Sequence, residues 1–206
     1  MLAGACHSRG SRSRGFSLLE LMIVVAVICV VGAIIYPNLQ SYLKYYRISG
    51  DARRIASQVA LARMRSAGNF SQARINIDQT TSPQTFELDV CNGGTFANDN
   101  GVAKYQLSPG ITFGFGSITT RAEPTYQATI AQTAPVTFNS RGIPVVLSGA
   151  SCSANVCSAA CTAMPTGANA IYLAGDGGLY YAVTVNPGGK TSVWRYSGSA
   201  WQKAGN

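Results

Sequence analysis

Residues 16–36 read FSLLELMIVVAVICVVGAIIY. This run decides the architecture, because it holds 21 residues and one charge, Glu20. As a helix rising about 1.5 Å per residue it spans roughly 31 Å, against about 30 Å for the hydrocarbon core of a bilayer. Arg9, Arg12 and Arg14 precede it, and the next cations are Lys44 and Arg47. That asymmetry favours a cytoplasmic N-terminus. A secretory signal carries only about 7 to 15 apolar residues before a small-residue cleavage site. This run is longer, and Ile34-Ile35-Tyr36 is a poor cleavage context. A lipoprotein signal fails as well, since Cys29 follows Val27-Ile28 and Cys6 has no apolar stretch before it. A plain anchor leaves Glu20 unexplained, because an ionised group in a membrane costs roughly 2 to 4 kcal/mol even on lenient scales.

Arg14-Gly15-Phe16-Ser17-Leu18-Leu19-Glu20-Leu21 resembles the processing site of type IV prepilins and type II secretion pseudopilins. In that family a prepilin peptidase cuts after the glycine on the cytoplasmic side and methylates the new N-terminus. The resemblance implies cleavage between Gly15 and Phe16 and methylation of Phe16. Glu20 becomes the fifth mature residue, the family's glutamate, and Pro37 the 22nd. In the membrane Glu20 can accept a hydrogen bond from a neighbouring subunit's free amine or neutralise its charge. A pair there costs far less than two isolated charges. The simpler alternative is that Glu20 only snorkels to the interface. The implied partners are the prepilin peptidase, the inner membrane, and other pilins or pseudopilins docking through the N-terminal helix.

Beyond the run, Ile48, Ala52, Ile55, Ala56, Val59 and Ala60 recur at helical spacing, with Asp51, Arg53 and Arg54 between them. Gly68-Asn69 is a stop signal. The pattern predicts a helix from Phe16 to about Ala67, kinked or interrupted at Pro37, which lacks a backbone donor. Its arginine-rich face is expected to be solvated, or to meet lipid headgroups or neighbouring subunits. Ala60-Leu61-Ala62-Arg63-Met64-Arg65-Ser66-Ala67, Ala73-Arg74-Ile75-Asn76-Ile77 and Val136-Thr137-Phe138-Asn139-Ser140-Arg141-Gly142 resemble, more thinly, the H-type pseudopilin and FimT minor-pilin branch. The closing Gly-Gly-Lys and Val-Trp-Arg-Tyr stretch does so too.

After Arg74 the period becomes two. Residues 75–77, 85–90, 111–113, 170–173, 181–185 and 192–196 alternate as half-buried strands do. Glycine-rich turns separate the last three, which predicts a meander. Residues 91–101 and 148–168 are expected to be loops. The fold class that follows is α+β: a long N-terminal helix, membrane-spanning in its first half, packed on an antiparallel sheet as in pilins. The expected division is a cleaved leader over 1–15, a membrane and assembly helix over 16–37, a periplasmic half-helix over 38–68 and a periplasmic β-rich domain over 69–206.

Cys6 lies in the leader, and Cys29 lies in the apolar run, where it packs as a small apolar residue. Cys91, Cys152, Cys157 and Cys161 remain. An even number facing an oxidising periplasm implies disulfides, with three connectivities open. Their spacing lacks the paired knuckles of a zinc site, so no metal and no cofactor is expected.

Charge and composition exclude other classes. Charged residues make up 12% of the 206, about half the usual share, while the 47% apolar fraction rules out a disordered chain. The 16 basic and 8 acidic residues are unevenly placed: from Ile75 onward there are 6 of each. The sole histidine, His7, is in the leader, so histidine-based catalysis and histidine-ligated metals are not expected. Gly189-Lys190-Thr191 is no phosphate loop, because Thr184 stands where that loop needs a glycine. The chain is therefore read as a non-enzymatic minor pilin or pseudopilin, built into a type IV pilus or type II secretion pseudopilus. The alternative is a DNA-binding minor pilin. Lys190, Arg195 and Lys203 lie among Trp194, Tyr196 and Trp201, and cations beside aromatics can hold phosphates and stack bases. DNA-binding FimT proteins carry Gly-Arg-x-Arg in a similar tail. Here that stretch reads Gly189-Lys190-Thr191-Ser192, with one basic position lost.

Overall fold

The computed structural model describes residues 16–99, 101–133, 135–148, 156–157, 162–165 and 169–204. One helix, α1, runs over Leu18–Gly68, and the chain divides into two compact units, Met1–Tyr42 and Leu43–Asn206. The first unit is helical from Leu18. Its large apolar side chains from Phe16 to Tyr36 are all exposed, by 48 to 82%. Leu18–Tyr36 is long and apolar enough to cross a membrane, with a mean hydropathy of 3.0. Helical structure is continuous through Pro37, so of the kink or interruption suggested by the sequence the interruption does not occur. Only one intrahelical bond is lost at a proline, and the bonds on either side hold the helix.

In the second unit α1 shows a stripe. Ile48, Ala52, Ile55, Val59 and Ala62 are at most 1% exposed. Ala60, expected on that stripe, is exposed: it sits about 100° round from Val59, and Ala62 continues the row instead. Asp51, expected among the solvated charges, is buried. Its carboxylate accepts from the Ser108 backbone N–H at 2.8 Å and from the Ser108 hydroxyl at 3.1 Å, fixing the 107–110 segment to the helix. The helix ends where Ser71 N–H donates to the Ser66 carbonyl at 3.1 Å, a Schellman closure. Its left-handed position is taken by Phe70, at φ 50°.

Among the described residues twelve strands follow, all paired antiparallel. They are β1 (Ala73–Asp78), β2 (Thr85–Asn92), β3 (Thr95–Asn98), β4 (Tyr105–Gln106), β5 (Ile111–Phe113), β6 (Val136–Phe138), β7 (Pro144–Ser148), β8 (Thr162–Pro165), β9 (Asn169–Gly175), β10 (Leu179–Val185), β11 (Thr191–Tyr196) and β12 (Trp201–Lys203). One sheet orders them β3-β2-β1-β6-β7-β8, with β4 also on β2; the other runs β12-β11-β10-β9-β5. The chain is thus α+β, with the distal part of α1 packed on antiparallel sheets. Part of 91–101, expected to be loop, is a hairpin: Gly93-Gly94 is its two-residue turn, and Asn92 pairs with Thr95. Strand β8 likewise falls inside the expected 148–168 loop.

The core joins the helix stripe to both sheets. Ile75, Phe86, Leu88 and Phe138 come from one sheet, and Ile171, Leu173, Tyr181 and Val183 from the other. Every member of this cluster, with the residues packed against it, lies between Tyr45 and Ala204. The second unit therefore contains its whole core. On the opposite face of the first sheet, Arg74 donates to Asp89 at 2.8 Å, directly across β1 and β2. The pair is buried, and the guanidinium lies 4.2 Å from the Phe96 ring centre. Burial pushes the Asp89 carboxyl up, and Arg74 beside it pulls in the other direction. Arg74 is thus not part of a solvated basic face. Arg65 and Asp99, both half-buried, form a further ion pair at 3.0 Å.

Candidate functional site

Gly15 lies outside the described residues. Phe16 and Ser17 precede the helix, and Phe16 is 82% exposed. The Ser17 carbonyl accepts from Leu21 N–H at 3.1 Å, starting the helical ladder. Glu20 is exposed in the first turn, where the positive end of the helix dipole favours a carboxylate. The leading elements of the site are therefore a protruding Phe16 and, one turn on, a carboxylate on an apolar rod with no protein cover. Cys29 is a free, exposed thiol on the same rod.

The C-terminal set is divided by strand alternation. On β11, Val193 packs toward the helix-side core. Arg195 points the same way, donating to the Tyr45 hydroxyl at 3.4 Å and to Gln202 Oε1 at 3.5 Å. Trp194 and Tyr196 occupy the other face. Trp194 donates through Nε1 to Thr184 Oγ1 at 2.8 Å and packs against a second cluster with Tyr172 and Ala182. Tyr196 meets Tyr180 and Trp201 at ring separations of 6.3 and 5.2 Å. Lys203 is the register partner of Trp194 and so shares its side, while Lys190 sits in the β10–β11 turn. The structure thus parts Arg195 from the aromatics and engages both aromatic rings in packing. Tyr181, behind Tyr45, has its phenol pushed up to about 12, first by burial and then by Tyr45.

Cys91 on β2 is joined to Cys157, 66 residues away. Cys152 and Cys161 lie outside the described residues. Among the described residues no group of three or more metal-ligating side chains occurs.

Arg63 is the residue whose role the sequence did not reveal. Its Nε donates to the Gly142 carbonyl and its Nη1 to the Gly189 carbonyl, each at 3.2 Å. The two glycines close turns of one design, Asn139-Ser140-Arg141-Gly142-Ile143 and Asn186-Pro187-Gly188-Gly189-Lys190. In each, the asparagine carbonyl accepts from the glycine N–H at 2.8 Å. In each, the asparagine side chain accepts from the next residue's N–H, at 3.0 Å from Ile143 and 2.9 Å from Lys190. Gly142 and Gly189 have φ of 71° and 79°, a region that side-chain-bearing residues avoid. One guanidinium therefore ties a turn of each sheet to the helix. The signal for it was the repeated Asn-x-x-Gly spacing.

Residues 10–36 match the family described as the Prokaryotic N-terminal methylation motif. No curated protein and no solved structure matches the chain. The matched segment is the type IV pilin-like signal. It supports the pilin and pseudopilin superfamily and processing by prepilin peptidase. Residues 37–206, which hold the features that resemble the H-type and FimT branch, lie outside the match.

Proposed function

We propose that this chain is a minor pilin or pseudopilin, a structural subunit rather than an enzyme. The observation that carries this reading is the methylation signal over residues 10–36, in register with Glu20 on a helix whose first half is bare and apolar. The segment sits in the inner membrane with its N-terminus cytoplasmic and the domain from 43 onward periplasmic. After cleavage at Gly15 and methylation of Phe16, the bare half-helix is covered by the same segment of neighbouring subunits in a pilus or pseudopilus. The Cys91–Cys157 bond suits an oxidising compartment.

The experiment is co-expression with a prepilin peptidase, followed by N-terminal mass spectrometry. The expected product lacks 15 residues and begins with methylated Phe16, and Gly15→Ala leaves the leader on. An intact leader in the unaltered chain, or a cut elsewhere, overturns the reading.

A further inference from the structure

Three cations gather at the start of the second unit. Lys44 and Arg47 are exposed on α1. Arg195 reaches the same stretch from β11, its guanidinium 5.8 Å from the Tyr45 ring centre. Among the described residues none of the three forms an ion pair. Arg195 is half-buried, yet its hydrogen bonds, at 3.4 Å to the Tyr45 hydroxyl and 3.5 Å to Gln202 Oε1, are long and go to neutral oxygens. A cation withdrawn from water favours an anion beside it.

The cations border recesses on both flanks of the helix. Lys44 and Arg47 border one of about 40 Å³ toward β5 and β9. Tyr45 and Arg195 border another of about 240 Å³ toward β11 and β12. Arg53 also borders the second but is already engaged by another group, so its charge is not counted. Asp176, beside Lys44 and Arg47, is the one carboxylate on either border. No acidic residue occurs between Glu20 and Asp51, and Asp51 is buried and bonded to Ser108.

The surface between the cations is a second observation. Leu43 and Tyr46 are 45% and 70% exposed there. Amphipathic aromatics beside cations are what a membrane–water interface favours. The apolar span ends at Tyr36, eight residues before Lys44, a rise of roughly 12 Å along a helix. Headgroups occupy roughly 5 to 8 Å beyond the hydrocarbon, and a lysine stem can carry its charge toward them.

We propose that this collar binds anionic phospholipid headgroups of the leaflet from which α1 emerges. One phosphate lies against Lys44 and Arg47, and another lies at Arg195. The inference rests on the reading of Leu18–Tyr36 as a membrane span.

The test places the full chain in nanodiscs of phosphatidylcholine alone, and of phosphatidylcholine with an equal share of phosphatidylglycerol. Native mass spectrometry counts the lipids that stay bound on release from the mixed discs. Each cation near an anionic surface strengthens attachment about fivefold, so phosphatidylglycerol should be retained over phosphatidylcholine by about tenfold or more. Lys44→Gln with Arg47→Gln should bring this preference below about threefold. Both side chains are exposed and unpaired, so the fold is undisturbed. Asp176→Asn should raise the preference, a gain that misfolding does not produce. Inorganic phosphate at about 10 mM and constant ionic strength should leave it unchanged. Displacement by that phosphate would reveal a site for a soluble anion and overturn the lipid assignment. Insertion into both discs with equal retention of the two lipids, or a preference untouched by the double substitution, overturns the proposal alone. Insertion into neither overturns the membrane reading and the proposal with it.

Discussion

Replacing Arg63 with alanine tests whether one side chain holds the two turns to the helix. The perturbation removes two charge-assisted hydrogen bonds, each 3.2 Å long and part-buried. Bonds to charged groups are worth about 1.5 to 3 kcal/mol apiece. Partial exposure puts these near the lower figure, so the loss should be about 3 kcal/mol. For a domain of this size about 1 kcal/mol shifts the thermal midpoint by about 2 to 4 °C, which gives a fall of about 6 to 12 °C. The fragment from residue 43 onward suits the measurement, since it contains its whole core.

A second substitution isolates the geometry. A Cβ at Gly189 would lie 2.8 Å from Arg63 Nε and 3.0 Å from the Gly142 carbonyl oxygen. Gly189→Ala therefore displaces the guanidinium and also bears the left-handed backbone, about 1 kcal/mol on its own. In an Arg63→Ala background only the backbone cost and the carbonyl contact remain. The two substitutions should be non-additive by about 1 kcal/mol or more. Urea denaturation of the two single variants and the double one gives this coupling. Strict additivity, or a midpoint for Arg63→Ala within about 2 °C of wild type, refutes the clamp.

Glu20→Ala should leave insertion and cleavage intact, since it makes the span more apolar, yet reduce incorporation into sheared filaments; full incorporation refutes a docking role. Replacing Cys91 and Cys157 together by serine opens a loop with a sequence separation of 66 and should lower the unfolding free energy by about 2 to 4 kcal/mol; an unchanged urea midpoint counts against it. Phe70→Gly should raise stability by about 1 kcal/mol, because the side chain is 85% exposed and its backbone is left-handed. A loss of stability would show that Phe70 makes packing contacts in solution.

The sequence was most legible where one periodicity ran long. The apolar run lacks a polar face, and the segment from Ile48 onward has one; the same helix is bare in the first unit and striped in the second for that reason. Strands β1, β2, β5, β9, β10 and β11 were readable from alternation. Strands β4, β6, β7, β8 and β12 have two to five residues, a length at which a period of two rarely stands out, with β5 the exception. The burial of Asp51 and of Arg74 was not legible. Both are charged residues at positions where the local pattern permits exposure. What buries them is a partner distant in sequence: Ser108 for one, Asp89 and Phe96 for the other.

The C-terminal tail shows why neighbours in sequence are a poor guide to a binding face on a sheet. Trp194, Arg195 and Tyr196 are consecutive, so a strand must send the middle one away from the others. The partners Arg195 gains are Tyr45, 150 positions earlier, and Gln202 across the hairpin. Arg63 likewise reaches 79 positions to Gly142 and 126 to Gly189. In both cases the helix brings a residue to strands that follow much later in the chain.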